Sequence, residues 1–129
     1  MAGLILCNRI LGYVNAPVIG QRLVEAALGV TVDVGIYKRR RDAMAGILRD
    51  AGIEFTLPKG AFYFFPKVPG RVDDLQFCQL LLEERILGVP GRGFGLPGYF
   101  RMTYCMDEAV ILRAAQGFKR AADRARSGA

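Results

Sequence analysis

The sequence predicts an α/β fold, in which a layer of three or four short strands is backed by helices. The chain has 129 residues, 52% hydrophobic and 23% charged, so it can bury one core and is not intrinsically disordered. Several segments carry apolar residues at helical spacing, which indicates amphipathic helices. Between them lie short runs of β-branched and aromatic residues, bounded by Pro and Gly, which indicate strands.

Three helices are predicted in the first part of the chain. The first begins almost at the first residue and has no N-cap, and the second starts at Pro17 and ends at Gly29. Asp33 can cap a third helix, which ends at Gly52 because glycine readily takes the left-handed conformation at a helix C-terminus.

Two strands are predicted to follow this third helix. Residues 53–56 and 61–65 are rich in β-branched and aromatic side chains. Pro58 and Gly60 lie between them and indicate a turn.

The remaining elements are two strands and two helices. Asp73 and Gln76 have the spacing of a capping box and predict the start of a helix. Residues 86–89 and 99–105 predict strands, and Asp107 is placed to cap a single terminal helix with a basic C-terminal end.

The amino-acid composition excludes hydrolase triads and histidine metal sites. The chain contains no histidine, which removes the commonest metal ligand and general base, and its only serine lies near the C-terminal end. Cys7, Cys78 and Cys105 show no disulfide or zinc spacing, so we expect reduced thiols. No apolar run is long enough to cross a bilayer, and we expect a soluble, cytoplasmic protein without a membrane partner.

A net charge of +6 leaves nucleic acid or an acidic molecule as conceivable partners. The basic run at 38–41 and the aromatic run at 62–65 could in principle bind RNA. A helix spreads four consecutive residues around its circumference, however, so a solvated face is the better explanation. A free-standing basic module that binds nucleic acid or a protein partner is the alternative function.

A glycine-rich loop precedes the last predicted strand. Gly93, Gly95 and Gly98 fit the spacing of a dinucleotide-binding motif, but Pro97 interrupts it and the next segment is a strand rather than a helix. A tight loop that glycine permits is therefore a better explanation than a phosphate cradle, and such a loop could still shape a small-molecule pocket.

Arg101 is the candidate binding residue, because it lies within an apolar, strand-like run just after this loop. A guanidinium in such surroundings needs a carboxylate, either from the protein or from a ligand. The sequence pattern leaves both explanations open, with Asp107 and Glu108 as the protein candidates.

Three stretches together resemble a known family. They are VNAPVIGQRLVEAA, PKGAFYFFPKVP and ILGVPGRGFGLPGYFRMTYCMDEAVI, and they cover nearly the whole chain. They are similar to the C-terminal part of class I/II, fold-type I aminotransferases that use pyridoxal phosphate, of the aspartate aminotransferase kind. The resemblance implies a small, mostly antiparallel sheet packed against helices. It also implies that residues 1–29 are a helical tail of the large domain and residues 30–129 the small domain.

The resemblance implies a function for this part of the chain. Such enzymes transfer an amino group between an amino acid and a 2-oxo acid, and this chain is expected to be their C-terminal substrate-binding portion. Arg101 occupies the position of the arginine that binds the substrate α-carboxylate, and Asn15 matches a residue near the active site of the partner subunit. A homo-oligomer, a dimer in this family, is implied as well.

The chain lacks the residues with which the family binds its cofactor. None of its four lysines stands in the Ser-x-x-Lys setting of the Schiff-base lysine, and the phosphate-binding cup has no counterpart; the lysines are Lys38, Lys59, Lys67 and Lys119. Pyridoxal phosphate is therefore expected in the full-length enzyme but not bound by this chain. We assign no catalytic, cofactor-binding or metal-binding residue, and we expect the isolated chain to be inactive.

Overall fold

The computed structural model describes residues 1–13 and 15–128. The chain divides into two units, Met1–Val32 and Asp33–Ala129. No helix within the described residues combines the length and the apolar character needed to span a membrane.

The first unit consists of two helices, α1 (Ala2–Ile10) and α2 (Val18–Ala27). As predicted, α1 has no side-chain cap, and the chain leaves α2 through Gly29, whose φ is +81°. Neither helix buries a residue, although both are rich in apolar side chains. The large hydrophobic residues that they expose are Leu4, Ile5, Leu6, Ile10, Val18, Ile19, Leu23 and Val24.

The second unit contains four helices, and two of their starts are set by local capping. The carboxylate of Asp33 accepts a hydrogen bond from the Gly35 amide at 2.8 Å, and Asp73 forms the predicted reciprocal capping box with Gln76. Gly52, with φ of +64°, follows the first of these helices as predicted. The helices are α3 (Val34–Asp50), α4 (Asp74–Glu83), α5 (Glu108–Arg113) and α6 (Ala115–Ser127).

A three-stranded antiparallel sheet lies among these helices. Its strands are β1 (Tyr63–Phe64), β2 (Val89–Pro90) and β3 (Phe100–Thr103), in the spatial order β1-β3-β2. β1 pairs with β3, so the two predicted strand segments at 61–65 and 99–105 share one sheet. The predicted fold class is therefore confirmed.

The core of the second unit lies between one face of this sheet and the helices. Its fully buried aromatic side chains come from β1, α4, β3 and α6, and Leu48 of α3 joins them. These aromatic residues are Phe64, Phe77, Phe100 and Phe118. Burial of side chains of this size is the main stabilising contribution in a domain of this length.

The predicted strand at 53–56 is absent. The Ile53 amide bonds to the Leu48 carbonyl at the end of α3, and the Lys67 amide bonds to the Glu54 carbonyl. Ile53 is buried and Phe55 packs against the core. The β-branched and aromatic character of this segment thus reflects core packing rather than membership of the sheet.

The predicted terminal helix is two helices, divided at Ala114. Asp107 stands at the N-cap of α5 but makes no capping bond, and one oxygen of its carboxylate pairs with Arg40 at 2.9 Å. α6 packs closely on the segment after α4, where a Cβ on Gly117 would lie 2.9 Å from the Ile86 side chain. This tertiary packing sets the direction of α6, which local helix propensity does not specify.

Candidate functional site

Alternation along β3 places Arg101 on the face of the sheet opposite the core. Phe100 and Met102 are buried, whereas Arg101 and Thr103 are half-buried. Since successive strand residues point to opposite faces, the two half-buried side chains share the outer face. In the register of the sheet Arg101 lies opposite Val89 of β2.

The glycine-rich loop forms one border of this outer face. It begins as a 3₁₀ helix, Gly91–Phe94, and turns through Gly95 with φ of +75°. The Gly91 amide donates to the Tyr99 carbonyl at 2.8 Å, and the carbonyl oxygens of Leu96 and Tyr99 leave no room for a Cβ at Gly91. The loop is therefore tight and leads directly into β3, as the sequence predicts.

Two aromatic rings contact the guanidinium of Arg101. Its Cζ lies 4.2 Å from the ring centroid of Phe94 in the loop and 4.6 Å from that of Tyr63 in β1. Both distances fall within the range of cation–π attraction, which grows when the cation is partly removed from water. Arg101 therefore lies beside the glycine-rich loop.

No carboxylate of the described residues forms an ion pair with Arg101. Of the two protein candidates, Asp107 pairs with Arg40 instead, and Glu108 is exposed at the start of α5. Of the two explanations that the sequence leaves open, the structure thus gives no support to a protein carboxylate.

A second layer of rings supports Phe94. The rings of Phe65 and Phe94 meet edge to face at a centroid distance of 5.8 Å, and Phe65 stacks on Tyr99 at 6.1 Å. Such pairs stabilise one arrangement of rings beyond their buried area. The guanidinium of Arg101 therefore lies against an aromatic wall formed by β1, the loop and the start of β3.

An ion-pair cluster joins the loop to the start of α4. The carboxylate of Asp74, which is fully buried, accepts hydrogen bonds from the Arg92 amide at 2.9 Å, from Arg92 Nε at 3.0 Å and from Arg92 Nη2 at 2.6 Å. Asp73 accepts a further bond from Arg92 Nη2 at 2.9 Å. Hydrogen bonds from Arg92 hold the pKa of the Asp74 carboxyl well below its usual range, so it is ionised at neutral pH.

Sequence reasoning missed Asp74, Arg92 and Phe94. Asp74 was visible only as part of an acidic helix start, and Arg92 only as one charge among the glycines of the loop. The two residues are 18 positions apart, so no local pattern connects them.

Asn15, the other predicted site residue, is exposed and lies in a bend between α1 and α2. It belongs to the first unit, whereas Arg101 belongs to the second.

The described lysines do not fit a site for pyridoxal phosphate. A lysine that bonds covalently to a carbonyl group needs an amine that loses its proton near neutral pH, which burial or a neighbouring charge provides. All four lysines are exposed, so none has the buried setting that such an amine needs, and the Nζ of Lys67 lies 3.5 Å from a carboxylate oxygen of Glu54.

Half of the basic run at 38–41 is engaged within the protein. Arg40 pairs with Asp107, and Arg41 pairs with Asp42 at 2.7 Å and donates to the Pro58 carbonyl at 3.3 Å. These two side chains are therefore not free to bind phosphate groups, which weighs against the nucleic-acid alternative.

A comparison with known protein families shows which family the chain belongs to. The model of the family described as aminotransferase class I and II matches residues 9–118. This chain belongs to that family. An aminotransferase from Eubacterium rectale has a similar solved structure, with a TM-score of 0.89 and 35% identity over 96% of this chain and 31% of that one.

Two curated aminotransferases are also similar in sequence. The aspartate aminotransferase of Thermotoga maritima is 42% identical over 72 residues, which are 55% of this chain and 19% of that protein. The LL-diaminopimelate aminotransferase of Nitratidesulfovibrio vulgaris is 37% identical over 83 residues, 62% of this chain and 21% of that protein. The chain thus spans about a fifth of the length of these relatives, which confirms the prediction that it corresponds to a portion of an aminotransferase.

Proposed function

We propose that this chain provides the substrate-carboxylate site of an aminotransferase that transfers an amino group between an amino acid and a 2-oxo acid. Arg101 is the residue that binds the α-carboxylate. The observation that supports this role is a half-buried guanidinium that lies against two rings and pairs with no carboxylate of the described residues.

The chemistry of arginine suits this role. Its planar guanidinium can donate two parallel hydrogen bonds to a carboxylate, which fixes the orientation of the bound molecule as well as its position. Tyr63 and Phe94 shield part of the group from water, which strengthens its attraction for an anion. Lysine offers a point charge without these two parallel donors and cannot reproduce the geometry.

The family implies pyridoxal phosphate in the full-length enzyme, where it supplies the electron sink for chemistry at the substrate α-carbon. Because the described lysines do not fit it, we propose that other residues of the enzyme hold this cofactor. The role of the present chain is then to bind and orient the substrate carboxylate.

Carboxylate binding is tested on the chain itself. We expect pyruvate, a minimal 2-oxo acid, to shift the Arg101 Nε–H resonance saturably, with a Kd on the order of 1 mM. Neutral pyruvamide serves as the matched ligand and is expected not to bind. Arg101→Lys is expected to weaken pyruvate binding about tenfold or more.

Arg49→Lys is the control variant, because Arg49 also lies over a ring, that of Phe55, at 5.7 Å. It is expected to leave pyruvate binding unchanged. Equal responses to pyruvate and pyruvamide, or equal losses in the two variants, would show that Arg101 is not a carboxylate site.

Cofactor chemistry is tested separately. Incubated with pyridoxal phosphate, an amino acid and a 2-oxo acid, the chain is expected to transfer no amino group. Borohydride reduction followed by mass mapping is expected to label no single lysine stoichiometrically. One fully labelled lysine together with measurable transfer would contradict the proposal.

We further propose that residues 1–29 belong to the large domain of the enzyme and form part of a homo-oligomer, in which Asn15 lies near the partner subunit's site. The exposed apolar side chains of α1 and α2 support this, because large uncovered apolar patches favour association. The exposed thiols of Cys7 and Cys105 fit a reducing, cytoplasmic location.

Light scattering tests the association. The chain is expected to be a dimer or larger at micromolar concentration, and Leu4→Glu is expected to reduce its mass to that of a monomer. Leu112→Glu places the same charge on an exposed leucine of α5 and is expected to leave the mass unchanged. A strictly monomeric wild-type chain would contradict the proposal.

A further inference from the structure

Arg92 ties the loop that carries Phe94 to α4. Arg92 bonds to the buried Asp74 carboxylate through both its backbone amide and its side chain. The side-chain bonds neutralise and orient the Asp74 carboxylate, and the amide bond at 2.9 Å ties the main chain of the loop to that same carboxylate, so loss of the guanidinium is expected to weaken both.

The anchor on the other side is rigid. Asp74 lies in the first turn of α4, whose start is held by the reciprocal capping box of Asp73 and Gln76. The same helix buries Phe77 and Leu81 completely in the core. Displacement of Asp74 would therefore disturb both the helix start and the core packing.

Phe94 lies in a segment that few backbone bonds hold: the Gly95 amide donates to the Arg92 carbonyl at 3.1 Å, and the Leu96 amide donates to the Gly91 carbonyl at 3.1 Å. Phe94 is flanked by Gly93 and Gly95, and a Cβ at either position would meet no atom within 4 Å. Glycine allows many backbone conformations, so such a segment has a large conformational freedom unless a neighbouring contact restricts it. The bond between Arg92 and Asp74 lies two residues before Phe94 and supplies this restriction.

We propose that Asp74 and Arg92 are positioning residues, which hold the loop so that Phe94 lies against the guanidinium of Arg101. The consequence for substrate binding rests on the proposed function of Arg101. A guanidinium that is already oriented loses less conformational freedom when a carboxylate binds, so the pair raises affinity without contacting the substrate.

The persistence of the pair supports this role. The pKa of the Asp74 carboxyl is lowered by Arg92, and that of Arg92 is raised by Asp74, so both groups remain charged across the neutral range. The loop is therefore anchored at any pH at which an aminotransferase would operate near neutrality.

The test measures how fast phenylglyoxal modifies each arginine of the whole chain, with the sites identified by peptide mass mapping. Arg101 is expected to react slowly in the wild type, because two rings cover its guanidinium. Arg92→Leu is expected to accelerate modification of Arg101 roughly 2- to 10-fold, the range that corresponds to losing one cation–π contact. Phe94→Leu removes the ring directly and is expected to give a similar increase.

Two controls separate positioning from general loosening of the fold. Arg120→Ala breaks another arginine–carboxylate pair, that with Glu84, and is expected to leave the Arg101 rate unchanged. Arg49, over the ring of Phe55, serves as an internal reference whose rate is expected to be the same in all variants. If Arg92 only stabilised the fold, Arg92→Leu would accelerate the modification of Arg49 together with that of Arg101.

A spectroscopic measurement gives a second readout. The rings of Tyr63 and Phe94 are expected to displace the Arg101 Nε–H resonance by their ring currents, and Arg92→Leu is expected to remove part of that displacement. If Arg92→Leu does not fold, Arg92→Lys is measured in the same way, because lysine keeps the positive charge but lacks the planar guanidinium that donates several hydrogen bonds.

An unchanged Arg101 rate in the Arg92 variant, with a faster rate in Phe94→Leu, would overturn the positioning role. Unchanged rates in both would refute the contact between Phe94 and Arg101. The proposed function is tested independently by asking whether pyruvate slows the modification of Arg101 in the wild type. If pyruvate gives no protection, the proposed function fails, but the differences in rate between the variants still test the positioning role.

Discussion

The phenolic hydroxyl of Tyr104 donates a hydrogen bond to the backbone carbonyl of Ala61 at an O···O distance of 2.5 Å. Tyr104 is buried, and Ala61 has φ of +59°, a conformation in which residues other than glycine are rare. The bond therefore links the end of β3 to a left-handed residue at the entrance to β1.

Removing this hydroxyl tests the contribution of the link. Tyr104→Phe keeps the ring, which packs on Phe64 at 5.6 Å, and loses only the hydrogen bond. We expect the free energy of unfolding to fall by about 1 kcal/mol, as measured by urea denaturation. Tyr13→Phe changes an exposed tyrosine and is expected to have no effect. An equal effect of the two substitutions would contradict the prediction.

Ala61→Gly is expected to stabilise the protein. Glycine takes a φ near +60° without the steric cost that a Cβ imposes, and relief of this strain is expected to add about 0.5–1 kcal/mol to the free energy of unfolding. The same change at Ala109 in α5 is expected to destabilise by a similar amount, because glycine disfavours a helix. Opposite signs in thermal melts are the outcome to look for; a loss at Ala61 would disprove the strain.

Gly70 is expected to tolerate no side chain. Its φ is +75°, and a Cβ would collide with the carbonyl oxygen of Ala125 in α6. Left-handed strain and overpacking together are expected to cost about 2–5 kcal/mol in Gly70→Ala. Gly46→Ala, in the interior of α3 where a Cβ meets nothing within 4 Å, is expected to stabilise by up to about 1 kcal/mol. A stable Gly70→Ala variant would mean that α6 does not pack there.

Acid is expected to destabilise the protein partly through Asp74. Arg92 lowers the pKa of this carboxyl below its ordinary value of 3.8, so the stabilisation is present above that pH and is lost as the pH falls toward the native-state pKa. The pKa of Glu84 is lowered in the same way by Arg120.

Asp74→Asn is therefore expected to have a lower Tm at neutral pH and a shallower decline of Tm between about pH 4 and pH 2. Asp50→Asn, on the exposed end of α3, is expected to show the wild-type decline. Thermal melts across this pH range measure both. If Tm falls with pH equally steeply in the wild type and in Asp74→Asn, the pair of Asp74 and Arg92 does not contribute to the acid sensitivity.

Alkylation at neutral pH is expected to distinguish the three cysteines. Burial raises the pKa of the Cys78 thiol from 9.0 to about 11, assisted by the charge of Asp74, which lowers its reactive thiolate fraction roughly 100-fold. Cys7 and Cys105 are exposed. Iodoacetamide followed by mass mapping is expected to label these two first, and equal labelling of Cys78 would contradict its burial.

The capping residues show how far local sequence reasoning extends. Asp33 with Gly35, and Asp73 with Gln76, are two or three positions apart, and both predicted bonds are present. Asp107 has the same chemistry, yet its carboxylate pairs with Arg40, 67 positions away. Packing brings this distant partner close, and nothing near Asp107 in the sequence indicates it.

Sequence patterns alone predict the fold class, the helix starts at Asp33 and Asp73, the strands at 61–65 and 99–105, and the motifs shared with class I and II aminotransferases. These depend on periodicity, on turn residues and on bonds that close within a few positions. The surroundings of Arg101 depend instead on long-range packing: they are the rings of Tyr63 and Phe94, and the anchor of the loop on Asp74. Those contacts join segments far apart in the chain, so they exist only once the sheet and α4 have packed around one core.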